Sequence, residues 1–255
     1  MQNIEYSISE NIGIARLNRP EIMNALCSAL VEDLNTIIND ITQNKNINVL
    51  IITGNGDNFA VGADISEMVN VKESEALDYI TRVQYVFNRL TQLPIPVIAA
   101  LNGYTIGGGL ELALACDIRI ASEKTIFSMP ETNLGIIPGG GGTQRLSRVI
   151  GIGNALNWFF TCDKFTAEEA LNLGLIQKIV DDDYLLDETI IIAQNIAKKS
   201  PSAIAHVKEI TRTGIEMDFY RACEMEAKGF AKSIVNDGRE GMSAFLEKRK
   251  PIWNK

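Results

Sequence analysis

An α/β fold ending in a helical region is predicted by three observations. Short β-rich runs alternate with amphipathic helical patterns over the first two thirds of the chain, strand-type runs stop after about Asp181, and helical patterns then follow one another to the end. Ile4–Ile8 and Ile12–Leu17 read as strands joined by a turn at Glu10-Asn11. Ser28–Ile41 places Leu30, Val31, Leu34, Ile37, Ile38 and Ile41 at the three-and-four spacing of a helix with one buried face. Val49–Thr53 is an unbroken apolar strand closed by Gly54-Asn55-Gly56. Ser74–Leu90 is again helical in period, and Pro96–Leu101, Ile118–Ala121 and Ile126–Met129 are further short strands. The tail reads as helices over Glu188–Lys199, Ala203–Gly214, Phe219–Val235 and Arg239–Lys248. No low-complexity segment or long linker divides the chain, although the strand–turn–helix unit recurs loosely.

Composition narrows the function. The 255 residues carry a net charge of −8 and a 46% hydrophobic content, ordinary for a protein that buries a full core. That balance argues against a nucleic-acid backbone or an anionic membrane as the main partner, since both need a strongly basic face. The first ten residues lack a signal-peptide core, and the most apolar region, residues 96–121, is broken by glycines, Pro96, Asn102, Glu111 and Asp117. The four cysteines are scattered without a C-x-x-C pair, and Cys116 lies in an apolar run. A cytoplasmic protein with reduced thiols is expected. His206 is the single histidine, no carboxylate cluster replaces it, and no G-x-S-x-G elbow occurs, so metal and serine-nucleophile hydrolysis are not indicated.

Four segments carry the chemistry: Phe59-Ala60-Val61-Gly62-Ala63-Asp64; Asn102 through Ala113, a strand end and glycine-rich turn leading into a helix near Gly108; Pro130-Glu131; and Gly139-Gly140-Gly141-Gly142-Thr143-Gln144-Arg145-Leu146. Glycines at a helix start leave backbone N–H groups unscreened by Cβ atoms, at an end of the helix that attracts negative charge. A phosphate or a developing oxyanion suits that place equally. No lysine follows in the pattern of a phosphate-binding loop. Glu111, three residues into the helix among Leu110, Leu112, Ala113 and Leu114, reads either as a helix-start carboxylate or as a buried acid–base group. By itself, Glu131 after a proline reads as a turn residue.

In this order the segments resemble the enoyl-CoA hydratase/isomerase (crotonase) family. The likeness runs from Leu17-Asn18-Arg19-Pro20 and Asn24-Ala25-Leu26 to Glu240 through Arg249, and the stretch Pro138–Leu146 is similar to methylglutaconyl-CoA hydratases. The resemblance implies a spiral of repeated ββα units over residues 1–195, a helical oligomerisation region over 196–255, and trimers that pair into hexamers. It implies an acyl-CoA thioester substrate with no separate cofactor, coenzyme A arriving as part of the substrate. Glu111 and Glu131 would be the catalytic pair, and the amides of Ala63 and Gly108 the oxyanion hole. Ala60, Ala63, Asp64, Ile65, Ser66, Gly107 and Gly108 would line the thioester and coenzyme A, joined by Phe245 and Lys248 from the C-terminal helix, often across a subunit interface. The activity implied is addition of water to a 2-enoyl-CoA in fatty-acid or branched-chain breakdown. A methylglutaconyl-CoA hydratase, an enoyl-CoA isomerase and a non-catalytic RNA-binding or scaffold member are the other readings the family offers. Glu21 and Ser66 stand where relatives often carry positive charge, and Lys248-Arg249-Lys250 is the basic cluster that would compensate. The segment Met68–Leu90 is expected to line the acyl pocket.

Overall fold

The computed structural model describes residues 1–44 and 46–253. Strands β1 (Ile4–Ser9) and β2 (Ile12–Leu17) form the expected antiparallel hairpin, with Ile4 opposite Leu17. Helix α1 (Ser28–Gln43) follows, its first turn capped by the Cys27 sulfur, which accepts the Leu30 N–H. Next come β3 (Val49–Gly54), α2 (Glu73–Gln92), β4 (Val97–Leu101), β5 (Tyr104–Ile106), α3 (Gly108–Ala115), β6 (Ile118–Ser122) and β7 (Ile126–Ser128). The chain continues through α4 (Gly142–Ile150), α5 (Ile152–Thr161), β8 (Phe165–Thr166), α6 (Ala167–Asn172), β9 (Lys178–Val180) and α7 (Leu185–Ala197). It ends in α8 (Pro201–Gly214), α9 (Phe219–Ser233) and α10 (Arg239–Leu246).

Among the described residues, the strands form a six-stranded sheet in the order β1-β2-β3-β4-β6-β9 and a three-stranded sheet in the order β5-β7-β8. From β2 onward the larger sheet is parallel. Both of its faces are covered, and alternate residues therefore enter different cores. Leu50 and Ile52 pack with the apolar faces of α1, α2 and α3, whereas Val49, Ile51, Ile98 and Ala100 pack with Leu185 and Ala193 of α7. Burial on both sides explains the unbroken apolar run at Val49–Ile52.

The spiral expected from the resemblance is present. β4 joins the large sheet, β5 the small one, and α3 closes the turn; β6, β7 and α4 repeat the unit. One turn earlier, Ala60 takes the place of a small-sheet strand by bridging Thr105 in parallel. The sequence reads residues 102–107 as a strand end and turn, but Tyr104–Ile106 is a strand in its own right, paired with Ile126–Ser128. Three residues are too few to show alternation, and their partner strand lies 22 residues further along the chain. Helical boundaries also move by one to three residues. Helix α7 begins at Leu185, three residues before the expected Glu188, and α10 ends at Leu246, just before Lys248 turns to a φ of 55°. Among the described residues no helix is long and apolar enough to cross a membrane.

Candidate active site

The loop after β3 and the start of α3 are pressed together by close backbone packing. A Cβ at Gly109 would lie 2.2 Å from the Ala60 carbonyl oxygen, so only glycine permits the approach. The amides of Ala63 and Gly108 consequently sit side by side: a Cβ at Gly108 would be 3.5 Å from the Ala63 nitrogen. Among the described residues neither amide donates to a backbone oxygen. Gly107 differs, because its N–H is bonded to the Ser128 carbonyl at 2.9 Å. The sequence places free amides across Gly107–Gly109; the Gly107 amide is committed to β7, whereas those of Ala63 and Gly108 have no backbone acceptor among the described residues.

The Ala63 loop is anchored from several directions. Leu26 N–H donates to Gly62, and Asp64 N–H returns to Leu26. The Asp64 carboxylate accepts from the Ser66 amide and hydroxyl and from Arg19 at 3.0 Å, which hold its carboxyl below the usual carboxylate range. Asp64 and Ser66 thus serve each other inside the loop. Ile65 starts a short 3₁₀ turn and is partly exposed, whereas Ala60 is fully buried, with its amide and carbonyl tied to Tyr104 and Ile106. Asn24, buried with a φ of 57°, accepts from the Arg19 amide and donates to the carbonyls of Asn55 and Asn58. Sequence reasoning used Asn24 only as part of a motif; its bracing role shows in no local pattern.

Glu111 projects from the first turn of α3 into the start of α4. Its Oε1 accepts the Gly142 N–H at 2.7 Å, and the Gly140 amide contributes a second favourable interaction. Burial nevertheless wins and raises its pKa, against the lowering pull of these amides and of Arg145. This gives the glycine-rich run before α4 its place: a Cβ at Gly140 or Gly142 would come within 2.8 Å of a Glu111 carboxylate oxygen.

Glu131 begins the 3₁₀ turn Glu131–Leu134 directly after β7. Thr132 Oγ1 donates to the Phe159 carbonyl at 2.6 Å, and Ser128 Oγ to that of Cys162 at 3.2 Å, fixing the turn against α5. Glu131 is buried, and its Oε2 is without a hydrogen-bond partner among the described residues. Burial pushes its pKa up to about 7, with the nearby Glu111 charge adding to the rise. Gly107, at φ 52°, makes room for it: a Cβ there would stand 2.8 Å from Glu131 Oε1. Two neighbouring carboxyls that resist ionisation, one of them packed on Gly107 at the start of α3, can shuttle a proton beside a polarised carbonyl.

Phe245 and Lys248 come from α10 and the turn that follows it. Phe245 is 82% exposed on α10, and no described hydrogen bond or ion pair joins either residue to the loop or the glutamates. The expected basic cluster is also weaker than its sequence suggests, because Arg249 is ion-paired with both Glu240 and Glu247 at 2.6 Å. Glu247 stands two residues before Arg249 in the chain, whereas Glu240, nine residues before it, is brought in by folding. From the expected acyl-pocket segment, Ile80 and Phe87 of α2 reach the glycine run at Gly139 and Gly140. A separate cleft of about 1040 Å³ lies between α8 and the core; Gly141 and Arg145 line it, but neither glutamate does. His206 bonds Ser233 across α8 and α9, away from the glutamates.

Residues 7–255 match the family model described as enoyl-CoA hydratase/isomerase. A crotonyl-CoA hydratase of Syntrophomonas wolfei is 40% identical over 98% of this chain and 96% of its own length. A short-chain-enoyl-CoA hydratase of Clostridium acetobutylicum is 38% identical over 98% and 97%. The crystal structure of an enoyl-CoA hydratase from Bacillus anthracis superposes with a TM-score of 0.95 at 39% identity, covering 99% of both chains.

Proposed function

The chain belongs to the enoyl-CoA hydratase/isomerase family, and on that premise we propose that it adds water across the 2,3 double bond of a 2-enoyl-CoA to give a 3-hydroxyacyl-CoA. The observation that carries this reading is the convergence of Glu111 and Glu131, both with raised pKa, beside the adjacent amides of Ala63 and Gly108. The thioester carbonyl sits between the two amides, which draw electron density from the conjugated double bond and make C3 electrophilic. Each such donor is worth roughly 10²–10³ in rate.

The different surroundings of the glutamates divide the acid and base roles. The Gly142 amide orients the Glu111 carboxylate, and a pKa raised by burial makes that carboxylate the stronger proton acceptor once ionised, so it takes the proton of the attacking water as the oxygen bonds to C3. Glu131 has an oxygen with no donor and holds its proton up to about pH 7, so it delivers that proton to C2 of the enolate. The cycle closes when the proton on Glu111 returns to Glu131 through solvent. Coenzyme A enters as part of the substrate, and no further cofactor is required by these steps.

Helices α8 and α9 contain no fully buried residue and leave Val207, Phe219, Tyr220 and Phe230 exposed, which supports burial of this face against a neighbouring subunit, in the trimers or paired trimers and the cytoplasmic setting expected from the sequence. Phe245 and Lys248 would then reach coenzyme A from a neighbouring subunit. The test is loss of enoyl-thioester absorbance on mixing the protein with crotonyl-CoA, beside Glu131→Gln. Rapid loss that the substitution abolishes is expected. Binding without loss, combined with double-bond migration in a 3-enoyl-CoA, would replace the hydratase reading with an isomerase.

A further inference from the structure

The glycine-rich run before α4 shows its two sides to different groups. Its amides at Gly140 and Gly142 face Glu111. Its carbonyls are held elsewhere: Gly139 accepts from Gln84 Nε2 at 2.7 Å, Gly140 from Arg145 Nη1 at 2.7 Å, and Gly141 from the amides of Gln144 and Arg145. In a trans peptide the C=O and the following N–H point in opposite directions. Holding the Gly139 carbonyl therefore aims the Gly140 amide at Glu111, and holding the Gly141 carbonyl aims that of Gly142. The peptide between them is secured by Arg145, whose Nη2 also donates to Asn88 Oδ1 at 2.6 Å. Gln84 and Asn88 are one turn apart on α2, so the run is fastened to that helix at two successive points. Gly141, at φ 103°, leaves the space the guanidinium crosses: a Cβ there would be 2.1 Å from Arg145 Nη1.

We propose that Arg145 and Gln84 are positioning residues for Glu111, their side chains holding the Gly139 and Gly140 carbonyls so that the amides of the run at Gly140 and Gly142 stay directed at the carboxylate. The proposal rests on the hydratase reading only for the role of Glu111 as the base that accepts water's proton. The titratable groups facing Glu111 are Arg145 from α4, Glu131 from the turn after β7 and Tyr79 from α2, while Arg212 and Cys116 act on Arg145 in turn. Losing the Arg145 cation and loosening the amides act in the same direction, since both favour the protonated form of Glu111.

The experiment follows the Glu111 carboxyl directly by ¹³C NMR in the ligand-free protein, its resonance assigned with Glu111→Gln, alongside pH profiles of crotonyl-CoA hydration. Arg145→Gln is expected to raise the Glu111 titration midpoint by about half a pH unit or more. It should also lower kcat roughly tenfold with little change in KM. Arg145→Lys should restore most of the midpoint by returning the charge. Gln84→Ala, an exposed and charge-neutral change, should move the midpoint and kcat the same way by a smaller amount. It also decides the matter if Arg145→Gln does not fold. Midpoints that stay at the wild-type value in the folded variants overturn the proposal, whatever happens to turnover. A wild-type protein that hydrates no enoyl-CoA overturns the hydratase reading instead, and leaves the titration to judge Arg145 and Gln84.

Discussion

Replacing Glu131 by glutamine removes a proton equilibrium that the fold works against. The carboxyl is 9% exposed, its Oε2 has no donor among the described residues, and its pKa stands at about 7 instead of the ordinary 4.5. A folded-state pKa above the unfolded one means that folding favours the protonated form. The stability contribution is therefore complete below pH 4.5, declines as pH rises toward 7, and is lost above it. At 1.36 kcal/mol per pH unit, wild type carries a penalty of about 3 kcal/mol at pH 8 that the neutral amide does not. In a chain of this length each kcal/mol moves Tm by about 2–4 °C, so Glu131→Gln should melt roughly 6–12 °C above wild type at pH 8. At pH 4.5 the two should nearly coincide, while hydration falls by roughly 10²–10⁴ at any pH. Thermal unfolding of both proteins at equal concentration from pH 4.5 to 8 tests this. Parallel melting curves across that range would refute the claim that Glu131 is held protonated by burial.

Glu111→Gln should lower kcat for crotonyl-CoA by roughly 10²–10⁴ with KM little changed; a change confined to KM would remove Glu111 from the chemical step. Gly107→Ala introduces a Cβ 2.8 Å from Glu131 Oε1 at a φ of 52°, and should cost at least about 1 kcal/mol in stability and most of the turnover, read by denaturant melts and initial rates. Asp117→Ala leaves Lys208 and Arg212 without the carboxylate both now bond, at 2.7 and 2.6 Å, and should destabilise the fold by about 3 kcal/mol in urea. Arg19→Ala removes the ion pair to Asp64 and should loosen the Ala63 loop; substrate affinity and turnover should fall together, and unchanged values would show that the Leu26 contacts suffice.

The sequence by itself determined the parts of this protein that are written as local periodicity or as ordered motifs. The helix read at Ser28–Ile41 follows from the spacing of six apolar residues, and the buried strand read at Val49–Thr53 from an unbroken apolar run, because each pattern reports which faces are buried. Motif order then identified the family and singled out Ala63, Gly108, Glu111 and Glu131 by resemblance. Tertiary structure alone decided what each does for the others. Tyr104–Ile106 becomes a strand only by pairing with β7, and Gly107 loses its free amide in the same contact. Glu131 looks like an exposed turn residue in sequence; packing against α5 buries it and raises its pKa. The run Gly139–Gly142 has no local signal for a carboxylate thirty residues earlier, nor do Gln84 and Asn88 for the loop they fasten. Periodicity encodes burial of a face, but hydrogen-bond direction and the electrostatics of a buried carboxyl depend on atoms that meet only when distant segments fold together.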